Sequence, residues 1–286
     1  VLGAAVTRGI SYRFVLFREV RKQQLQPNSE NFIALKPRVT LIIPTYEEAD
    51  RISTTLSVVD SQLRSAFSKS DDIEVIVVDD GSKDDTSEIA RKAGADLVIR
   101  LESNQGKGAA IRAGVREANG SVVAFTDADL AYNPRQVLEL VELVEKGYDM
   151  VVGSRQHVET KNLVRAGRFR EIGGRIINVA TFMLLLGQYR DTQCGLKAFN
   201  SKVAKSLFAA GTIDGFSFDV ELFHLAERWN LSLIEVPVEV ENSTRSSVNA
   251  LRDGVLLLFD LVKIRQRARS GKYPDHLAIQ IPSSDQ

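Results

Sequence analysis

Apolar positions in the first half of the chain follow two alternating patterns. Short continuous runs (Val39 to Ile43, Ile73 to Val78, Leu97 to Ile99, Ser121 to Phe125, Met150 to Val152) are separated by segments with helical spacing, roughly Arg51 to Phe67, Asp85 to Ala93, Lys107 to Ala118 and Pro134 to Glu145. Continuous apolar runs predict strands buried on both faces. Their alternation with helices predicts an α/β fold, a mostly parallel central sheet with helices on both faces. Ligands bind such sheets beyond the carboxyl ends of the strands. Three of the runs are followed by polar clusters: Pro44-Thr45-Tyr46-Glu47-Glu48, Asp79-Asp80-Gly81-Ser82 and Asp127-Ala128-Asp129.

Past Arg155 the pattern changes. Val164 to Arg175 is basic and Ile176 to Leu186 almost wholly apolar. Phe216 to Trp229 reads as a helix, Leu233 to Val240 as a strand containing Pro237, and Val248 to Arg269 as a long helix, very apolar over Val255 to Leu258 and basic at its end. From Tyr273 onward, Pro274, Pro282 and serines predict a flexible tail.

Composition narrows the chemistry. A chain of 286 residues with 44% hydrophobic content can bury a large core, and 37 basic residues balanced by 37 acidic ones argue against a globally basic nucleic-acid binder. Cys194 is the only cysteine, so there is no disulfide framework, structural zinc site or thiol pair, and with only His157, His224 and His276 a metal is expected on carboxylates. No run of about 18 uncharged apolar residues is present to form a transmembrane helix. Val1 to Phe17, mildly apolar but broken by Arg8 and Arg13, fits either the end of an anchor or a simple arm.

Each polar cluster has two readings when taken alone. Asp127 and Asp129, one residue apart after a buried strand, suit a hard cation such as Mg²⁺ or Mn²⁺ that also holds ligand phosphates, or are solvated turn residues. Asp80 could accept N–H groups of a base or ribose, or belong to a turn in which Ser82 and Asp84 cap the next helix. Tyr46 could stack on a base, with a glutamate beside it bonding the base or its ribose, or lie in a plain loop. Gln105-Gly106-Lys107-Gly108 precedes a helix, where backbone N–H groups and Lys107 favour phosphate, although the motif is not a P-loop. Asp219 and Glu221 either partner arginines or position a substrate. Cys194, His224 and Trp229 read as packing residues.

The order of these clusters carries more than any one of them. IPTYEE (Ile43–Glu48), VVDDGSKDDT (Val77–Thr86), NQGKGAAIRAG (Asn104–Gly114), TDADL (Thr126–Leu130) and VVGSR (Val151–Arg155) together resemble the family-two glycosyltransferases of the GT-A fold, over about Arg38 to Tyr273. Within that family the chain looks most like the polyprenyl-phosphate sugar synthases. DTQCGLKAF (Asp191–Phe199) and FSFDVEL (Phe216–Leu222) are similar to the dolichyl-phosphate β-glucosyltransferases. Ala131 stands where the related mannose synthases commonly have a metal-binding Gln, which leans towards the glucosyl branch.

The resemblance implies a catalytic domain over 38–247, preceded by an arm or anchor remnant over 1–37 and followed by an amphipathic, basic, membrane-associated helix over 248–272 and a tail over 273–286. It implies that Pro44, Tyr46, Glu48 and Asp80 hold the nucleoside, and that Lys107 and Ala128 join the nucleotide-sugar site. Asp127 and Asp129 would hold Mg²⁺ or Mn²⁺ on the diphosphate. Arg155, Arg245 and arginines of the Arg165/Arg168/Arg170 cluster, Arg168 and Arg170 first, would meet the lipid phosphate and the diphosphate. The implied reaction is inverting transfer of a hexose, glucose from UDP-glucose in the first instance, to a polyprenyl or dolichyl phosphate. It would take place at the cytoplasmic face of a membrane. GDP-mannose as donor, a soluble acceptor and a non-catalytic nucleotide-sugar-binding subunit are the alternatives. The residues from Arg155 to Arg175 include six Arg/Lys against two Glu, and Lys263 to Lys272 has five basic residues and none acidic, which suits an anionic membrane face.

Overall fold

The structure is a computed structural model describing residues 37–162, 189, 191–240 and 250–276, with backbone alone at 161, 162 and 250–255. The arm expected over 1–37, apart from residue 37, the apolar segment Ile176 to Leu186, and the arginines Arg165, Arg168, Arg170 and Arg245 lie outside the described residues.

The apolar runs become strands β1 (Val39–Thr45), β2 (Ile73–Asp79), β3 (Leu97–Arg100), β4 (Val122–Phe125) and β5 (Met150–Ser154). Between them lie α1 (Ile52–Gln62), α2 (Thr86–Lys92), α3 (Lys107–Glu117) and α4 (Val137–Glu145). A short two-residue strand, β6 (Lys161–Asn162), follows. The second half adds β7 (Lys197–Asn200), α5 (Ser201–Ala210), α6 (Phe218–Arg228), β8 (Leu233–Pro237), β9 (Glu239–Val240) and α7 (Ala250–Arg269).

Seven strands form one sheet in the order β3-β2-β1-β4-β7-β5-β8. β1 pairs in parallel with β2 and β4, β2 with β3, and β5 with β8. β7 is antiparallel to both of its neighbours, β4 and β5. The carboxyl ends of β1 to β5 and β8 therefore share one edge of the sheet. Two apolar clusters cover its faces. One packs Ile111, Leu207, Phe223 and Leu261 of the helices against Ile42, Val78 and Phe125. The other packs Ile52, Leu56 and Leu140 against Leu41, Val75 and Ala124. Burial on both faces, expected from the apolar runs, holds for the inner strands; β3 at the sheet edge departs from it, with Leu97 37% exposed, because only one neighbour pairs with it.

The strand read over Leu233 to Val240 divides in two. β8 ends at Pro237, and β9 pairs with β6 in a separate two-stranded sheet. β7 and α5 form no part of the alternation read from the sequence.

Tyr273, expected to start a flexible tail, is instead 2% exposed. Its hydroxyl donates to Glu221 (2.6 Å), and Trp229 Nε1 donates to the carbonyl of Pro274 (2.9 Å). The aromatic ring finds a core partner that the surrounding prolines and polar residues conceal.

Candidate active site

The loops beyond β1, β2 and β3 are tied to one another by hydrogen bonds. Glu47 N donates to Ser82 Oγ (2.8 Å), Glu48 N to Thr86 Oγ1 (2.9 Å) and Ala49 N to Asp84 Oδ2 (3.2 Å). Ser82 and Asp84, expected to cap α2, instead stitch the β2 loop to the β1 loop together with Thr86, while the N-cap position falls on Asp85 without a side-chain cap bond. Asp80 is buried, and its two oxygens accept the backbone N–H groups of Gln105 (2.8 Å) and Gly106 (2.7 Å). It anchors the loop before α3, and each oxygen keeps a second acceptor site. Gly106 has φ +111°, and a Cβ there would lie 2.5 Å from the Asp214 carbonyl oxygen, so only glycine brings this backbone so close.

Pro44 lies within β1, and Tyr46 just beyond it is 40% exposed, open to a flat ligand. Glu48 is half-buried beside Arg51 (2.5 Å), and burial pushes its carboxyl up to about 7 against the pull of that arginine. Ala128 turns inward. Its methyl joins the core, and its carbonyl accepts from Thr55 Oγ1 (2.7 Å). This leaves Asp127 and Asp129 as the carboxylates of the motif. Burial raises Asp129, and the nearby charge of Asp127 adds to that. Ala131 gives Asp129 only a backbone N–H (3.0 Å).

Lys107 brings the α3 N-terminus into the same place, its Nζ donating to Asp127 Oδ1. The opposite side of Asp127 is walled by backbone: a Cβ on Gly195 would lie 2.0 Å from Asp127 Oδ2. Among the described residues no third carboxylate, histidine or cysteine joins the pair. Two hard oxygen donors at a strand end, with the Asp127 side chain 30% exposed, fit Mg²⁺ or Mn²⁺ shared with a diphosphate.

Arg155 follows β5 and grips Asp191 with Nε (2.7 Å) and Nη2 (2.9 Å), while its own backbone N–H donates to the same carboxylate (3.0 Å). Burial works against the charged form of Asp191, but Arg155 overrides it and holds the carboxyl below its ordinary range. The Arg155 side chain is 44% exposed. Its place just beyond β5 is set by Asp191, a carboxylate within the DTQCGLKAF motif.

Three more charged residues, Lys197, Asp219 and Glu221, are buried. Lys197 of β7 is fully buried. Its Nζ meets Asp219 Oδ1 (2.7 Å), donates to the Cys194 carbonyl (2.6 Å) and sits 5.4 Å from the Phe125 ring centre. Asp219 thus partners a lysine rather than an arginine. Glu221 accepts from Thr212 N (2.7 Å), Thr212 Oγ1 (3.0 Å), Ile213 N (2.8 Å) and Tyr273, and so serves the fold. The sign of Lys197 in the sequence is a lone cation inside an otherwise apolar stretch.

A mostly parallel sheet with stitched loops and a carboxylate pair at its carboxyl edge defines a GT-A-type sugar-nucleotide transferase. The chain belongs to glycosyl transferase family 2, whose profile matches residues 40–208. It is similar to the dolichyl-phosphate beta-glucosyltransferase of Homo sapiens, 31% identical over 254 residues, covering 82% of this chain and 77% of that one. The Drosophila melanogaster protein of the same name is 35% identical over 215 residues, 70% of this chain and 66% of the relative. A glucosyl-3-phosphoglycerate synthase from Mycobacterium tuberculosis, crystallised with Mn²⁺, UDP-glucose and glycerol 3-phosphate, shares the fold. Its TM-score is 0.61 at 21% identity, over 84% of this chain and 82% of that chain.

Proposed function

We propose that this glycosyltransferase transfers glucose from UDP-glucose to dolichyl phosphate, with inversion at the anomeric carbon and a divalent cation on the donor. The observation that carries this reading is the carboxylate pair Asp127/Asp129 with Lys107 at the sheet edge, in a chain similar to dolichyl-phosphate beta-glucosyltransferases. Tyr46, Glu48 and the Asp80 loop, floored by Pro44, form the nucleoside side.

When bound, Mg²⁺ or Mn²⁺ supplies Lewis-acid neutralisation of the departing diphosphate. Asp127 and Asp129 hold it, and Lys107 adds positive charge on the same side. Arg155, fixed by Asp191, offers its exposed guanidinium to phosphate, for which the planar fork is suited. Arg245 and the Arg165/Arg168/Arg170 cluster are assigned to the same lipid and diphosphate groups.

A phosphate acceptor is ionised near neutral pH and needs no general base. The acids of α6 support that reading: Asp219 is tied to Lys197, and Glu221 is committed to backbone and tyrosine hydrogen bonds. A single displacement on an α-linked donor gives a β-linked product.

A lipid acceptor calls for a membrane surface, and α7 supports one. It buries Leu257, Leu261 and Ile264 in the core, yet Leu256, Leu258, Phe259 and Val262 remain exposed beside a basic C-terminal end. Among the described residues no helix is long and apolar enough to cross a membrane. The exposed apolar residues and basic end of α7 are assigned to a membrane surface, with the active site on the cytoplasmic side.

The test of acceptor class offers radiolabelled UDP-glucose with dolichyl phosphate in one tube and 3-phosphoglycerate in another, each with and without EDTA. Chelator-sensitive label in the lipid phase alone is expected. Label in the soluble product alone would replace the lipid acceptor with a soluble one.

A further inference from the structure

The C-terminal half of α7 and the loop at residues 212–215 line a cavity of about 480 Å³ that the reaction proposed above does not use. That volume is in the range of small-ligand sites. Three cations line it, Lys263 and Arg267 of α7 and Lys272 just beyond, against two acids, Asp214 and Asp260. Both acids are already paired. Asp260 holds Lys263 (3.2 Å), and Asp214 takes Arg112, which comes from α3 outside the cavity. The positive charge left over is that of Arg267 and Lys272. Arg267 Nε is buried with no hydrogen-bond partner among the described residues, and its guanidinium lies 5.4 Å from the Tyr273 ring centre. A buried donor of this kind is costly unless an acceptor reaches it, and a phosphate oxygen suits a guanidinium fork.

The wall opposite α7 is fixed. Glu221 holds Thr212 N and Ile213 N, and Arg112 Nη2 donates to the Ile213 carbonyl (3.0 Å). On its other side this loop meets the start of α3, where the Asp214 carbonyl accepts from Ala109 N (3.2 Å). The loop thus stands between the cavity and the donor side of the molecule. The surface of α7 identifies the source of the phosphate. Leu256, Phe259, Lys263 and Arg267 follow one another at intervals of three or four residues and so share one face of the helix. Leu256 and Phe259 are exposed, and this apolar row runs directly into the cationic cavity. A free phosphate would use only the second part, whereas an amphiphile with a phosphate head uses both.

We propose that the cavity binds the phosphate headgroup of an anionic phospholipid, with an acyl chain along Leu256 and Phe259. The proposal rests on the membrane reading of α7 given above and adds a lipid site separate from the one that takes the acceptor phosphate.

The test is isothermal titration calorimetry of the whole protein with dihexanoyl phosphatidic acid below its micelle concentration, without donor or acceptor. Saturable binding is expected. Arg267→Gln and Lys272→Gln should each weaken it about tenfold, the scale of one charge-assisted hydrogen bond. Arg269→Gln, which removes a cation of the same helix end outside the cavity, should leave it unchanged. Phe259→Ser should weaken the lipid but not inorganic phosphate, the second probe. Inorganic phosphate binding as tightly as the lipid would make the ligand a free anion and overturn the headgroup assignment. An equal loss in Arg269→Gln would indicate diffuse attraction to a basic helix end and overturn the site, as would the absence of saturable binding. Displacement by citronellyl phosphate, a short isoprenyl phosphate, would merge the cavity with the acceptor site and also overturn it. If Arg267→Gln fails to fold, the exposed Lys272 decides alone. Cosedimentation with vesicles of phosphatidylcholine and phosphatidic acid separates the two layers of the argument: short-chain lipid bound by a protein that ignores vesicles keeps the headgroup site and removes the membrane reading.

Discussion

Burial sets opposing demands on the carboxylates at the strand ends. Asp129 is raised first by burial and then by the charge of Asp127, which Lys107 only partly offsets, so positive charge added beside the pair stabilises its ionised form. Asp129→Ala should remove metal-dependent turnover while leaving the circular dichroism spectrum unchanged, and wild-type rates in that variant would contradict the metal assignment. Glu48 gives a prediction in pH. Its carboxyl sits at about 7 in the folded protein, above the ordinary glutamate value. The folded state therefore binds this proton more tightly than the unfolded chain. The stability this provides is full at acid pH and is lost as pH rises towards and through 7. Glu48→Gln should accordingly raise Tm more at pH 8 than at pH 5, while weakening UDP binding. An equal shift at both pH values would remove the titration argument. Asp127 and Asp129 were legible in the sequence because they follow a buried strand, where such sheets bind ligands. Lys197 leaves only the sign of a lone cation in an apolar stretch, and nothing in KAFN says that its ammonium pairs with Asp219. Removing that lysine alone leaves a buried charge unpaired, so Lys197→Met should cost about 3–5 kcal/mol in urea unfolding. The double change with Asp219→Asn should recover much of the loss, and equal losses in the two proteins would contradict the pairing.

The elements from β1 to β5 are readable because each strand is a short, mainly apolar run between helical segments, buried in β1, β2, β4 and β5 and more exposed in the edge strand β3. β7 escaped for the opposite reason. It has four residues, carries Lys197 and Asn200, and lies between Gly195 and the start of α5, so no period is visible in it. It nonetheless joins β4 to β5 and carries the lysine that holds Asp219. β8 and β9 were read as one strand because their apolar pattern continues through Pro237, while the pairing passes from the main sheet to β6. The fixed start of the C-terminal segment depends on one side chain. Tyr273→Phe removes a buried hydrogen bond to the Glu221 carboxylate, which also holds the N–H groups of Thr212 and Ile213. It should cost about 2 kcal/mol in urea unfolding and speed amide exchange at residues 212 and 213. Unchanged exchange there would uncouple the segment from the loop.

At the level of the assembled molecule, α7 closes the core with one stripe and leaves a second apolar stripe outside. A helix serving only the core would not need Phe259 at 62% exposure beside Leu256 and Val262. Leu256→Ser with Phe259→Ser should lower cosedimentation with vesicles containing anionic lipid, with the Tm little changed, and full retention on vesicles would return α7 to a purely internal role. The central claim is metal-assisted, inverting transfer from UDP-glucose to a lipid phosphate. Its most direct test incubates the purified protein with dolichyl phosphate and Mg²⁺, offers UDP-glucose and GDP-mannose in parallel, and determines the anomeric configuration of the lipid product by NMR. The account predicts β-linked glucosyl lipid from UDP-glucose and none after EDTA. An α-linked product, mannosyl lipid alone, or glycolipid formed equally well in EDTA would contradict it.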